Sequence, residues 1–228
     1  MTKRILMVMT SHDVLGDTGN KTGLWLEEFA SPYYAFVEEG YSVTLSSPAG
    51  GEVPLDPNSL ADDALTDATR RFADDERARS ALASTIALKD VRAEEFDAVF
   101  YPGGHGPLYD LADNRDSINL IENMLKAAKP VGAVCHAPIV LKDVKGEEGK
   151  AYIDGKEVTG FSNAEETAME LDSVVPYLVE DELRASGGKF SSAGNFEPHV
   201  CKSDLLITGQ NPASSKPAAE ALIARLAQ

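Results

Sequence analysis

Cys135 and the histidine that follows it are the pair of residues in this sequence best suited to covalent chemistry. They lie in the run 129–141, KPVGAVCHAPIVL, whose apolar first half predicts a buried strand. The chain can restart as a helix with Pro138 in its first turn, which would place Cys135 on a nucleophile elbow. Because helix N-terminal amides favour an anion, we expect a thiol pKa below the free value of about 8.5. The alternative is that Cys135 is a small buried apolar side chain.

Two glutamates and a second histidine are the other residues that could take part in such chemistry. Glu28 stands beside Glu27 on a predicted helix, and apolar neighbours three and four positions away favour Glu28 as the inward-facing one. Glu166 lies in the first turn of another predicted helix. The alternative for each glutamate is a solvated surface charge. His105 sits among glycines in the loop 102–107, whose backbone can approach a ligand closely.

A metal site is not expected from the spacing of the possible ligands. The chain has four histidines and two cysteines, but no pair of them has the His-x-x-x-His or Cys-x-x-Cys spacing typical of zinc ligands. We therefore expect neither a metal nor another cofactor. Cys135 and Cys201 fit no disulfide framework, which is consistent with a reducing compartment.

The composition is that of an acidic globular protein. The 228 residues are 43% hydrophobic and carry a formal net charge of -16. This length and apolar content predict one α/β domain over residues 1–228. The negative charge would repel nucleic acid and anionic membrane surfaces, so neither is expected as a partner. The apolar run at 5–9 is far too short for a secretory or membrane-spanning segment, so we expect a cytoplasmic protein.

Strands and helices alternate along the chain and would position these residues. The apolar run 5–10 predicts a buried parallel strand, and the Gly- and Asp-rich residues 11–23 predict a loop at its carboxyl end, where open α/β sheets bind ligands. An amphipathic helix at 24–39 and a strand at 41–46 complete a βαβ unit. The other predicted strands are 96–101 and 205–208, and the other predicted helices are 117–128, 174–186 and 213–227.

Three further segments carry local signals of their own. Residues 48–90 begin with Pro and Gly and become acidic and Ala-rich, which predicts a surface insertion lying on the sheet. Residues 150–158 predict a β-hairpin that turns at Asp154 and Gly155. The run from Asn163 predicts a helix with Asn163 as its N-cap.

Several motifs together resemble those of the ThiJ/PfpI superfamily. The main ones are FDAVFYPGGHG at 96–106, AVCHAP at 133–138 and TGF at 159–161. Adding KTG at 21–23 with Glu28, Glu166 with Thr167, and TGQNPASS at 208–215 makes the chain most similar to the branch of glutathione-independent glyoxalases and heat-shock chaperones. The resemblance implies a flavodoxin-like, doubly wound α/β sandwich with a mostly parallel sheet, usually found as a homodimer.

The resemblance also implies roles for individual residues. Cys135 is similar in position to the family's nucleophile and His136 to the imidazole beside it, although neighbours on an elbow need not form a tight hydrogen bond. Glu166 resembles the carboxylate that orients the histidine. Glu28 resembles the acid placed near the nucleophilic sulfur, where burial could keep it protonated.

The glycine loop resembles the family's substrate-facing loop. Gly103, Gly104 and His105 would line the pocket. The backbone N–H groups of Gly104 and His136 would then stabilise a substrate oxyanion, an effect usually worth about 2.7 to 4 kcal/mol per donor.

The activity implied by the resemblance is a lyase reaction of the glyoxalase III type, conversion of methylglyoxal to lactate without glutathione. The Cys135 thiolate would add to the aldehyde carbon, and either His136 or Glu28 would move a proton to the neighbouring carbon through an enediol. Water would then release lactate. The implied partners are a small 2-oxoaldehyde substrate and a second copy of the chain.

Other functions remain open from the sequence. Related sandwiches carry elbow cysteines in amidases and peptidases, although Glu28 and the insertion at 48–90 favour a small closed pocket. A protein deglycase, which removes aldehyde adducts from amines, would share the first chemical steps. A holdase chaperone would need an apolar surface patch, and a redox stress sensor would oxidise Cys135 to a sulfinate.

Overall fold

The computed structural model of the chain describes residues 2–146 and 149–228, and these form an α/β fold around a seven-stranded sheet. The strand order is β3-β2-β1-β4-β5-β9-β8. Two further short strands, β6 and β7, pair with each other in parallel beside the main sheet. The strands are β1 Arg4–Val8, β2 Ser42–Ser47, β3 Ile86–Ala87, β4 Ala98–Tyr101, β5 Val131–Val134, β6 Glu157–Val158, β7 Lys189–Phe190, β8 Val200–Ser203 and β9 Leu206–Gly209.

Helices cover both faces of the main sheet, as predicted for a doubly wound sandwich. Adjacent residues of β1 show why: Leu6 packs into one core cluster and Ile5 into the other, because successive side chains of a strand point to opposite faces. The α-helices are α1 Leu26–Glu38, α2 Asp67–Asp74, α3 Glu76–Leu82, α4 Pro107–Asp110, α5 Arg115–Lys126, α6 Asn163–Ala168, α7 Val179–Ala185 and α8 Ser215–Leu226.

All pairings in the main sheet are parallel except the one between β8 and β9. The carboxyl ends of β1, β4, β5 and β9 therefore meet at one edge of the sheet, where ligands bind in open α/β folds. The candidate residues follow β4 and β5 directly at this edge. No helix within the described residues is long and apolar enough to cross a membrane.

The segment 48–90 contributes helices and one strand. Its strand β3 pairs with β2 at the edge of the main sheet, and its helix α2 packs on α1. The helix α2 begins at a capping box in which Thr66 accepts from the Thr69 amide and the Thr69 hydroxyl group accepts from the Thr66 amide.

Three local predictions are wrong. Residues 150–158 do not form a hairpin: β6, at the end of this segment, pairs in parallel with β7, and Ile153 is fully buried in the core. The helix predicted at 174–186 is the shorter α7, which starts after Pro176. The N-cap of α6 is Ser162, not Asn163, because the Ser162 hydroxyl accepts from the Glu165 amide.

Candidate active site

Cys135 lies on a sharp turn at the carboxyl end of β5. Its backbone has φ 62°, in the left-handed region that non-glycine residues rarely adopt. Two hydrogen bonds hold this conformation: the Cys135 amide donates to the Gly209 carbonyl at 2.9 Å, and its carbonyl accepts from the Phe161 amide at 2.7 Å. The chain then continues as a short 3-10 helix, Ala137–Leu141, with Pro138 in its first turn. The predicted elbow is therefore present, although the element that follows it is not an α-helix.

Three side chains form a hydrogen-bonded row that starts at the sulfur. Cys135 Sγ lies 3.2 Å from His136 Nδ1, and His136 Nε2 lies 2.7 Å from Glu166 Oε2. All three residues are at most 3% exposed. The sequence left open whether the neighbouring cysteine and histidine would pair closely, and the structure places them in contact. Glu166, 30 residues further along, is buried rather than a solvated surface acid.

Burial and charge fix the protonation of this row. Burial and the neighbouring His105 ring lower the pKa of His136 to about 4, so the imidazole is neutral at neutral pH. Burial would raise the pKa of Glu166, but the charges and hydrogen bonds of His136 and His105 more than offset it and hold that pKa well below the usual range. An ionised Glu166 only accepts hydrogen bonds, so the single proton of His136 is on Nε2. The Nδ1 lone pair therefore faces the sulfur.

His105 is the second histidine bound to the same carboxylate. Its Nε2 lies 2.8 Å from Glu166 Oε1, so the two oxygens of Glu166 serve two different imidazoles. The His105 and His136 ring centroids are 4.0 Å apart. The sequence predicted His105 as a residue that lines the pocket, and the structure links it to the row of Cys135, His136 and Glu166 through a carboxylate 61 positions away.

Glu28 is the acid beside the sulfur. It is fully buried, its Oε2 accepts from the Gly103 amide at 2.7 Å, and the Cys135 thiol interacts with its carboxyl group. Its Oε1 has no hydrogen-bond partner of good geometry among the described residues. Burial raises the pKa of Glu28 to about 8, so the carboxyl is mostly protonated at neutral pH. Glu27 points away from the site and accepts from the Thr66 hydroxyl, which agrees with the choice of Glu28.

The expectation of a lowered thiol pKa at Cys135 is wrong. Burial and the adjacent Glu28 carboxyl raise the pKa of the Cys135 thiol, and the Gly104 amide, which donates toward the sulfur, only partly opposes this. The predicted helix N-terminus would have favoured the thiolate, but a five-residue 3-10 helix provides a much weaker dipole. The Cys135 side chain is therefore a thiol that has a neutral imidazole within contact distance.

Gly103 and Gly104 allow the loop after β4 to pass directly over the thiol. A Cβ on Gly103 would lie 2.8 Å from Glu28 Oε2 and 3.0 Å from the Cys135 Cβ. A Cβ on Gly104 would lie 2.2 Å from the Gly23 carbonyl oxygen, and Gly104 has φ +91°. Only glycine fits at these two positions, so the backbone can come close enough for the Gly103 amide to donate to Glu28 and the Gly104 amide to face the sulfur.

Glu165 is a structural residue of the site that sequence reasoning missed. Its side chain accepts four hydrogen bonds, two from Ser162, one from the Phe196 amide and one from the Asn211 amide group, at 2.8 to 2.9 Å. It thereby ties α6, which carries Glu166, to the residues on either side of β8 and β9. The Ser-x-x-Glu capping-box pattern at 162–165 was the available signal. Nothing local in the sequence pointed to Phe196 or Asn211.

The two histidines and Glu166 are the described residues that could together hold a metal ion. Their ligand atoms all lie within 4.8 Å of one another and are buried. The same atoms already form two good hydrogen bonds among themselves, so a metal would have to displace both protons. The geometry fits a hydrogen-bonded row of side chains better than a prepared metal site.

Comparisons with known proteins agree with the motifs. A model of the DJ-1/PfpI family matches residues 22–225. The glutathione-independent glyoxalase HSP31 of Saccharomyces cerevisiae is 31% identical, over 93% of each chain. The Rapid Encystment Protein 24 kDa of Francisella tularensis has a similar structure, with a TM-score of 0.94 at 38% identity over 99% of both chains. Glyoxalase III of Candida albicans shares the fold, with a TM-score of 0.88 at 24% identity, over 97% of this chain and 96% of that one.

Proposed function

The chain belongs to the DJ-1/PfpI family, and we propose that it is a glutathione-independent glyoxalase that converts methylglyoxal to lactate. The proposal rests above all on one arrangement: a buried thiol touches a neutral imidazole on one side and a protonated carboxyl on the other. The names of relatives at about 30% identity support the same activity. The enzyme supplies its own sulfur in place of the glutathione thiol.

In the first step the sulfur adds to the aldehyde carbon of methylglyoxal. His136 Nδ1 takes the thiol proton as the S–C bond forms, and Glu28 gives its proton to the aldehyde oxygen. The product is a hemithioacetal with a neutral hydroxyl group, a cationic His136 and an anionic Glu28. Glu166 stabilises the imidazolium through its hydrogen bond to Nε2. The Gly104 amide would stabilise negative charge on the oxygen during the addition.

In the second step a proton moves between the two substrate carbons. The ionised Glu28 removes the proton from the former aldehyde carbon, and His136 protonates the neighbouring carbonyl oxygen, which gives an enediol. Glu28 then delivers its proton to the second carbon while His136 takes the proton of the first hydroxyl group. The result is a lactoyl thioester on Cys135. General acid–base help of this kind contributes about 10²- to 10⁴-fold to the rate.

Water completes the reaction. Glu28 accepts a proton from the attacking water, and His136 returns its proton to the departing sulfur. Lactate is released, and the thiol, the neutral imidazole and the protonated carboxyl are restored. Methylglyoxal and one water give one lactic acid, so the overall reaction needs no oxidant, reductant or cofactor.

The depth of the thiol favours a small substrate. Cys135 is 3% exposed and lies beneath the glycine loop, so an extended peptide chain would reach the sulfur less easily than a small molecule. A small free 2-oxoaldehyde fits this environment better than a peptide bond or a protein amine. The site therefore supports a glyoxalase more strongly than a peptidase or a deglycase.

The test is lactate formation from methylglyoxal without added thiol, measured enzymatically for both lactate enantiomers. The wild-type protein should be active, and Cys135→Ser and Glu28→Gln should lose activity by at least about 10²-fold. Glu27→Gln is the matched control because Glu27 points away from the sulfur, and it should retain activity. A wild-type protein that is inert towards methylglyoxal but hydrolyses a peptide or amide would disprove the proposal.

A further inference from the structure

An anchored loop, residues 191–199, lies next to the catalytic row. Three buried side chains from two other segments hold its backbone. Gln210 accepts from the Ala193 amide at 2.8 Å, and the Ser214 hydroxyl accepts from the His199 amide at 3.0 Å. Glu165 accepts from the Phe196 amide at 2.8 Å. Although the loop has no regular structure of its own, these bonds fix its position.

Phe196 stands out within this loop because it combines backbone strain with exposure. Its φ is 62°, which is a genuine outlier for a bulky residue, and its side chain is 48% exposed. Strained residues persist only where the surrounding structure holds them, and they concentrate at functional sites. The hydrogen bond to Glu165 supplies this hold from the residue next to the catalytic Glu166.

A row of aromatic rings connects Phe196 to the site. The Phe196 ring centroid lies 6.3 Å from that of Phe161, and the Phe161 centroid lies 4.3 Å from that of His136. Phe161 is itself buried, and its amide hydrogen-bonds to the Cys135 carbonyl. The exposed phenylalanine is therefore two ring contacts from the base that activates the sulfur.

We propose that Phe196 is a specificity-determining residue that binds the apolar substituent of a 2-oxoaldehyde, so that the site favours aromatic 2-oxoaldehydes over methylglyoxal. This inference rests on the proposed glyoxalase function and names the substrate class within it. The carbonyl end reacts at Cys135, and the substituent extends toward the Phe161 and Phe196 rings. An aromatic substituent gains ring contacts there that a methyl group is too small to make.

The experiment compares kcat/KM for phenylglyoxal and methylglyoxal in wild type, Phe196→Gly and Phe196→Tyr. Glycine favours the φ observed at this position, so the variant removes the ring without straining the loop. We expect the phenylglyoxal-to-methylglyoxal ratio of kcat/KM to fall about tenfold in Phe196→Gly and to be kept in Phe196→Tyr. Ile86→Ala is the matched control: Ile86 is 41% exposed but lies on β3, four strands from β5, and the variant should keep the wild-type ratio.

A binding measurement separates this inference from the proposed function. Mandelate and lactate, the aryl and methyl hydroxy acids, are tested for protection of Cys135 against alkylation by iodoacetamide. We expect mandelate to protect the wild type at about tenfold lower concentration than lactate, and Phe196→Gly to lose this preference. If neither aldehyde is turned over by the wild type, the glyoxalase proposal fails and the protection ratio alone decides the role of Phe196. A ratio in Phe196→Gly within twofold of the wild-type ratio in both assays would overturn the inference.

Discussion

Cys135 Sγ and His136 Nδ1 lie 3.2 Å apart although the two residues are neighbours in the chain. Successive side chains of an extended strand point to opposite faces, so two neighbours cannot normally meet in this way. The left-handed backbone of Cys135, with φ 62°, turns the chain between them and brings both side chains to the same side. The thiol and the imidazole are thus brought together by a single backbone conformation.

The left-handed conformation of Cys135 lowers the free energy of unfolding, and substitutions at this position can measure by how much. A left-handed conformation costs a non-glycine residue about 1–2 kcal/mol. Glycine avoids this cost, but its greater freedom in the unfolded chain cancels part of the gain in stability. We expect Cys135→Gly to be more stable than Cys135→Ala by about 1 kcal/mol, although both variants are inactive. For a chain of this length this is a difference of about 2–4 °C in Tm, measurable by calorimetry. Equal or reversed midpoints would show that the turn at residue 135 is unstrained.

The protonated Glu28 predicts a pH dependence of stability. Its pKa is raised from 4.5 to about 8 in the folded state, so between these values the folded protein holds a proton that the unfolded chain has lost. The stability contributed by this proton is complete below pH 4.5. It falls by about 1.4 kcal/mol per pH unit as the pH rises from 4.5 to about 8, and it is lost above that pH.

This dependence is measured by urea unfolding of wild type and Glu28→Gln at pH 5.5 and 7.5. Other titrating groups cancel in the difference between the two proteins. Relative to the variant, the wild type should lose about 3 kcal/mol between the two pH values. A difference that does not change with pH would mean that Glu28 is ionised in the folded protein.

Because Glu166 binds two histidines, replacing Glu166 and replacing His105 should reduce activity by different amounts. Glu166→Gln places an amide where His136 needs an acceptor, so the tautomer with a free Nδ1 is no longer favoured. We expect kcat to fall by about 10³-fold, because a histidine in the other tautomer cannot accept the thiol proton at Nδ1. His105→Asn keeps a polar group near Glu166 and leaves the bond to His136 intact, so kcat should fall by about tenfold only. If His105→Asn is the more damaging change, His105 rather than His136 is the base.

Glu165 should be important for stability. Its two carboxylate oxygens each accept two hydrogen bonds. In Glu165→Gln, an NH₂ group would replace one of these oxygens and would face two donors instead of accepting from them. Buried hydrogen-bond donors that lose their acceptor cost about 3 kcal/mol together, so Tm should fall by about 6–12 °C. Glu38→Gln is the control, because Glu38 forms an exposed ion pair with Arg71, and it should change stability by less than about 1 kcal/mol.

The sequence predicted the parts of the fold that local patterns determine. Continuous apolar runs identified the central strands, and the spacing of apolar residues around Pro32 identified α1. The strand β8 was missed because its four residues, Val200–Ser203, have no clear alternation and only partial burial. The hairpin signal of Asp154 and Gly155 was overridden by tertiary packing, since the adjacent Ile153 is fully buried in the core.

The candidate site was predictable in its members but not in its electrostatics. The motifs and the resemblance to a known family identified Cys135, His136, Glu166 and Glu28, and the structure brings all four together. Glu166 also binds His105, which lies 61 positions away, and no local sequence pattern predicts this contact. The raised pKa of the Cys135 thiol depends on the depth of burial, which follows from the packing of the whole chain and not from the residues next to it.

Gly103 and Gly104 also limit how this pocket can change during evolution. Any larger side chain at Gly103 would collide with Glu28 and Cys135, and one at Gly104 with the backbone near Gly23. The wall over the reacting carbon is therefore closed to variation, whichever aldehyde is used. Homologues with different substrate preferences should therefore keep both glycines and differ in other parts of the site, such as the 191–199 segment that carries Phe196.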